Sequence, residues 1–462
     1  MAEVELSPEQ VDSVIESKAF AVLLAIAAVV GVVVSFLAWG FLELLNQIQR
    51  GVYVHLPSDL GYEHGAPLWW PLPVLAVAGL VVAFAIARLP GKGGHIPAEG
   101  LAVGSGPTLP VDLPGVVLAA LATIGLGLVL GPEAPLIALG GGLAILTIRL
   151  ARREVPPQAL VVIAAAGSFA ALSFLFAQPL IAAIIMIEAT GLGGPKLKLV
   201  VLPGLLASGI GSLISIGMGS WTGLSTSAYA LGTLSLPAFA RPDVADFGWT
   251  IALAIAIAVV AALILQGGRE TQRVVAPRLF VLLPVVALIV AGLAILFHQT
   301  TGKSFELVLF SGQSALPGLV ENASTWSLSA LALLIVFKGL AYGLSLGGFR
   351  GGPTFPALFL GAVAGIMAAE LPGFSLTPAV AVGVGAATVA ILRLPVSAIV
   401  LASLLTSKAG VGAEPLVIVA VVVAYIVTMR LSAPASVQTA DAPTGSEAGA
   451  ALGTTSAQPV PP

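Results

Sequence analysis

Leu130-Gly131-Pro132-Glu133-Ala134-Pro135 is the stretch that decides how this chain is read. Glu133 is the only charged residue between Asp112 and Arg149. An ionisable side chain at bilayer depth costs at least about 2.5–3.5 kcal/mol, so its presence there points to function. The glycine and the two prolines break the backbone into two helical pieces. Broken helices inside a bilayer are tolerated only where they face a cavity or buried protein. The stretch therefore predicts an ion path with a titratable gate at Glu133.

Composition supports a membrane setting. Of 462 residues, 58% are hydrophobic and 9% are charged, and the mean hydropathy is +1.06. A soluble domain carries about 25% charged residues. The apolar stretches fill nearly the whole chain, which predicts one all-α membrane domain over residues 19–431 after a short cytoplasmic segment, 1–18. The net charge of −3 argues against a nucleic-acid partner. There is no cysteine, so disulfides and Cys-ligated metals are excluded, and the four histidines lack metal-site spacing. No paired carboxylate or activated serine stands within the spans, so neither an enzyme nor a cofactor is expected. Met1 to Lys18 is acidic and helix-like, unlike the basic start of a cleavable leader.

Working outward from Glu133, long spans give way twice to short, interrupted pieces. Full spans are expected at Phe20–Leu45 and Trp69–Ala87, with Trp69-Trp70 as an interfacial anchor. Pieces below the ~20 residues needed to cross follow, including Pro97–Val103, Leu113–Leu130, Pro135–Leu150 and Pro179–Ile187. The order repeats: spans from Leu199 to Leu346, then short pieces at Ala357–Ala369, Pro378–Leu392 and Pro395–Leu405. Two matched halves, about 19–240 and 241–431, are expected, with a binding site between interrupted helices. Arg149, Arg152 and Arg153 share one loop, and Arg269, Arg273 and Arg278 another; the positive-inside rule makes both cytoplasmic. Both termini are expected on that side too. Residues 432–462, rich in Ala, Pro, Ser and Thr, read as a disordered tail.

Three Gly/Pro breaks carry the chemistry: Gly93-Gly94-His95-Ile96-Pro97, Gly131-Pro132-Glu133-Ala134-Pro135 and Gly352-Pro353-Thr354-Phe355-Pro356. Proline is favoured at the first helical position, so each break reads as a helix start aimed into the protein. Unpaired N–H groups and the positive end of the helix dipole make such starts ready anion sites. Lys338 and Arg350, flanking a span, read as snorkelling ends.

The three breaks, in this order and separation, resemble those of the CLC chloride channel and chloride/proton antiporter family. So does the run from Ala177-Gln178-Pro179-Leu180 to Glu188. The resemblance spans roughly Phe20 to Arg430. It implies an all-α membrane protein of tilted and broken helices in two internally repeated halves. It also implies a homodimer in the cell membrane, with a pore for chloride or a similar small anion in each subunit. The anion would lie among Gly94, His95, Ile96, Glu133, Ala134, Thr354 and Phe355, with Glu133 gating. Gly94 stands where the family usually has a coordinating serine, and Pro132 where it has a basic residue. The family's second anion contact, a tyrosine on a final short helix, has no clear equivalent; Tyr425 is a poor substitute. Glu188 is a candidate proton relay, but the usual relay position falls on Ala189. This favours a channel or a weakly proton-coupled carrier over a chloride/proton antiporter. A cation/proton antiporter, with Glu133 binding the cation, usually needs more buried acids than Glu133 and Glu188.

Overall fold

The computed structural model describes residues 7–432 apart from 64, 102–105, 153, 192, 195 and 225–231. The tail expected at 432–462 thus lies outside the described residues, save Ser432, which ends the last helix. Among the described residues every regular element is helical, and there is one isolated antiparallel bridge, Gly131 with Gly352.

Among the described residues, eight helical segments are long and apolar enough to cross a membrane, and five apolar helices of 10–17 residues accompany them. The two longest helices, Lys18–Arg50 and Val244–Val275, begin at a side-chain cap. The Ser17 side chain accepts a hydrogen bond from the Phe20 N–H at the head of Lys18–Arg50, a 33-residue helix. Asp243 and Asp246 cap each other's backbone at the head of Val244–Val275. Both helices are longer than the spans expected from hydropathy, because their polar ends are helical as well. A helix of this length exceeds the roughly 20 residues that cross a bilayer, so it has room to tilt.

Two of the short helices end where the backbone turns left-handed. Pro179–Thr190 stops at Gly191 (φ 62). Leu376–Leu392 stops at Arg393 (φ 58), and Pro395 starts the next helix two residues later. Proline cannot extend the preceding helix, but its fixed φ suits the first turn of the next one. The piece expected at Pro97–Val103, of which 102 and 103 lie outside the described residues, is not a helix over the rest. Pro97 opens only a three-residue 3₁₀ turn, Pro97–Glu99, which Gly100 (φ 102) terminates. The first break therefore presents no helix dipole.

Glycine pairs set how closely the broken helices pack. Glu133–Leu150 lies against Pro157–Phe176 with Gly140 on Gly167; a Cβ on Gly140 would come within 2.8 Å of the Gly167 carbonyl carbon. Thr354–Ala368 lies against Leu376–Leu392 in the same way, with Gly361 on Gly383. Small residues let helix backbones approach where lipid supplies no hydrophobic drive. In Thr354–Ala368 every residue except Met367 is buried. A helix apolar on all sides belongs inside the protein.

Two side chains read as snorkelling ends are in fact interior. Lys338 is fully buried. Its ammonium shares three N–H donors among the carbonyls of Leu307 (2.9 Å), Val308 (3.3 Å), Leu309 (3.0 Å) and Phe310 (3.1 Å), over the face of Phe359. The turn at Phe305–Leu307 ends there without helix partners for its carbonyls, and the lysine supplies them. Arg350 is also buried, beside the third break.

Candidate functional site

The second and third breaks meet head on. The Gly131 N–H donates to the Gly352 carbonyl (2.8 Å), and the Gly352 N–H donates to the Gly131 carbonyl (2.6 Å). Each break then starts a helix with nearly the same backbone. Pro132 (φ −86, ψ −5) precedes Glu133, and Pro353 (φ −88, ψ −7) precedes Thr354. The prolines thus sit one residue before the helix, and Glu133 itself holds the first helical position.

Glu133 does not point away from this junction. Its Oε1 accepts the backbone N–H of Thr354, so one helix start holds the acid that opens the other. The carboxyl packs against the two glycines. A Cβ on Gly131 would lie 3.0 Å from Glu133 Cδ and 2.8 Å from a Phe355 ring carbon, and a Cβ on Gly352 would strike the carboxyl itself. Only glycine leaves room for the acid at both places. Glu133 Oε2 and the Thr354 hydroxyl are both buried at this contact, and the Phe355 N–H also lies near the carboxyl. Tyr342, fully buried, donates its hydroxyl to the Pro353 carbonyl (2.5 Å) and so fixes the third break from behind.

A cavity of about 520 Å³ adjoins this junction, lined in part by Gly94, His95, Ala134, Ser168, Arg350 and Gly351. The first break reaches it through Gly93, where a Cβ would lie 3.3 Å from Arg350 Cγ. Of the residues expected around an anion, Gly94, His95 and Ala134 face this cavity, while Glu133 and Thr354 join directly at the paired glycines. Phe355 stacks on Phe176, with ring centroids 5.8 Å apart. Ile96 is half-buried and lines neither feature. His95 Nε2 lies 2.9 Å from the Gly100 carbonyl and donates to it. Burial pushes its imidazole below the ordinary value of 6.5, with the Gly100 carbonyl pulling the other way. The lowered imidazole spends its Nε2–H on the Gly100 carbonyl and brings no fixed charge to the cavity.

Glu188 sits elsewhere. Its carboxylate accepts from the N–H groups of Val396 (2.9 Å) and Ser397 (2.7 Å) and from the Ser397 hydroxyl (2.6 Å). It thus caps the start of Pro395–Leu405, where the first N–H groups of a helix have no partner of their own. Tyr425 lies in Glu414–Ser432, away from the paired glycines. Two buried residues at or behind the site were not singled out for it from sequence: Tyr342 and Arg350. A signal for the junction was present, because Gly-Pro-x-x-Pro with a glycine five residues on occurs at Gly131–Gly140 and again at Gly352–Gly361.

Comparison with known proteins gives concordant results. The family model described as voltage gated chloride channel matches residues 78–429. The ion-transport protein YfeO of Salmonella paratyphi A is 27% identical over 353 residues, covering 74% of this chain and 79% of that protein. Its counterpart from Escherichia coli O1:K1 / APEC is 28% identical over 357 residues, covering 75% and 79%. Among solved structures, a slow cyanobacterial Cl−/H+ antiporter superposes with a TM-score of 0.70 at 20% identity, covering 89% of this chain and 95% of that one. A CLC-type fluoride/proton antiporter superposes at 0.67 and 18% identity, covering 89% and 96%. At these identities the superpositions speak to fold alone.

Proposed function

The chain belongs to the voltage-gated chloride channel family, and from that premise we propose that it passes chloride or a similar small anion across a membrane, with Glu133 as the gate. The observation that carries this reading is the acceptance of the Thr354 N–H by the Glu133 carboxylate. Helix starts bind anions through free N–H groups, and here a tethered carboxylate takes that place. A mobile anion and the carboxylate would compete for the same donor. When Glu133 leaves, by protonation or displacement, the donor is freed and the path opens. The paired glycines keep the exchange local, because the acid needs no helix to move.

In this reading the chain is one membrane unit of two repeated halves. It forms a homodimer in the cell membrane, with a pore in each subunit and both termini on the cytoplasmic side. Channel-like or weakly proton-coupled passage is favoured, because Glu188 is occupied in capping a helix and Ala189 cannot carry a proton. The second reading, chloride/proton exchange, draws on the two antiporters that share this fold.

The test is anion flux from liposomes as a function of pH. Wild type is expected to change rate with pH, and Glu133→Gln and Glu133→Ala to lose that dependence. Unchanged pH dependence in both variants would remove Glu133 as the gate. A chloride gradient that drives no stoichiometric proton movement separates passage from exchange.

A further inference from the structure

Arg350 is 7% exposed and lines the cavity next to Glu133. Its Nε donates to the Lys92 carbonyl (3.4 Å) and its Nη1 to the Phe349 carbonyl (3.1 Å). Among the described residues it makes no ion pair. Two acids are near. Glu99 is close enough to be felt electrostatically, but it is exposed and takes a hydrogen bond from Gln272 (3.1 Å). Asp112, half-buried, lines the same cavity against Gly91.

A guanidinium keeps its charge under all ordinary conditions. A buried charge without a paired partner is costly, and two neutral carbonyls do not neutralise it. The cavity that Arg350 lines offers room for a counter-charge beside the guanidinium. Resting on the pore reading above, we infer that Arg350 is the cation of a binding site for a small monovalent anion in this cavity, on the other side of Gly351-Gly352 from the Glu133 carboxylate. An anion held there waits beside the gate. It is slowed by the fixed charge, as neutral N–H donors alone would not slow it.

The probe is bromide, titrated calorimetrically into the purified chain in detergent. Arg350→Gln is expected to weaken binding by about tenfold or more, and Arg350→Lys, which keeps the charge, by only about threefold, a tenfold change being about 1.4 kcal/mol. A folded Arg350→Gln variant with wild-type affinity would overturn the inference and leave Arg350 as a tie between Lys92 and Phe349. Should that variant fail to fold, wild-type crystals in bromide decide. An anomalous peak against the guanidinium supports the site, and bromide peaks only elsewhere refute it. Liposome flux separates this from the pore reading. Wild-type vesicles that pass no anion end the pore reading while the bromide result still judges Arg350; vesicles that conduct while Arg350→Gln binds normally do the reverse.

Discussion

The Glu133 carboxylate accepts the backbone N–H of Thr354, the residue that opens the helix Thr354–Ala368. Both residues hold the first position of a helix, both follow a proline, and both lie one residue beyond a glycine–proline pair. The contact joins the second and third breaks through one side chain. Its geometry depends on Gly131 and Gly352 having no Cβ.

Gly352→Ala should act as a gate variant. A methyl there would strike the Glu133 carboxyl, and the acid must yield, since backbone holds the other side. Liposome flux should lose pH dependence, the same outcome expected of Glu133→Ala. The double variant should add nothing, because two changes acting on one contact are not independent. Wild-type pH dependence in Gly352→Ala would show that the acid has another resting place.

Lys338→Met should cost stability heavily. It strips the donor from four carbonyls, Leu307 to Phe310. Each buried acceptor left without a partner costs roughly 1–3 kcal/mol. The loss should be several kcal/mol, read as an earlier thermal unfolding transition in detergent. Since Phe310 in turn donates its N–H to the Gly127 carbonyl (2.9 Å), proteolysis should begin in this turn. A variant as stable as wild type would mean that water enters and satisfies the carbonyls.

Glu188→Ala should lose a helix cap. Three donors of Pro395–Leu405 depend on that carboxylate, and removing such a cap costs about 0.5–2 kcal/mol. Glu188→Gln should lose less, because its amide oxygen still accepts. Chemical denaturation of the two variants should rank them in that order; equal stability in all three proteins would remove the capping role.

Acidification should weaken the fold partly through His95. Burial holds its pKa below 6.5 in the folded chain. Below about 6.5 the unfolded chain therefore binds more protons than the folded one, and stability falls as pH falls. His95→Gln removes that contribution. Its thermal midpoint should vary less than the wild type's between about pH 6.5 and 5, and parallel curves would show that His95 titrates alike in both states.

Much of the architecture was legible in the chain because it follows from local chemistry. The Glu133 stretch, the low charge content and the alternation of long and short apolar pieces all lead to an all-helical membrane protein with interrupted helices. The terminations at Gly191 and Gly100 show why boundaries were harder to place. A left-handed glycine stops a helix wherever hydropathy happens to continue, so among the described residues Pro97 opens only one turn before Gly100. Polar ends that stay helical, as at Lys18 and at Arg269 to Arg273, lengthened others.

What the chain alone determined is the set of breaks, their order and the lone acid among them, since proline, glycine and charge act within a few residues of themselves. Which groups meet was decided only by the tertiary structure. Lys338, Arg350 and Tyr342 look like ordinary residues in or beside a span; their burial, and the carbonyls they reach, depend on chain segments up to 258 residues away. A buried charge is defined by what surrounds it, and no window of sequence contains its surroundings.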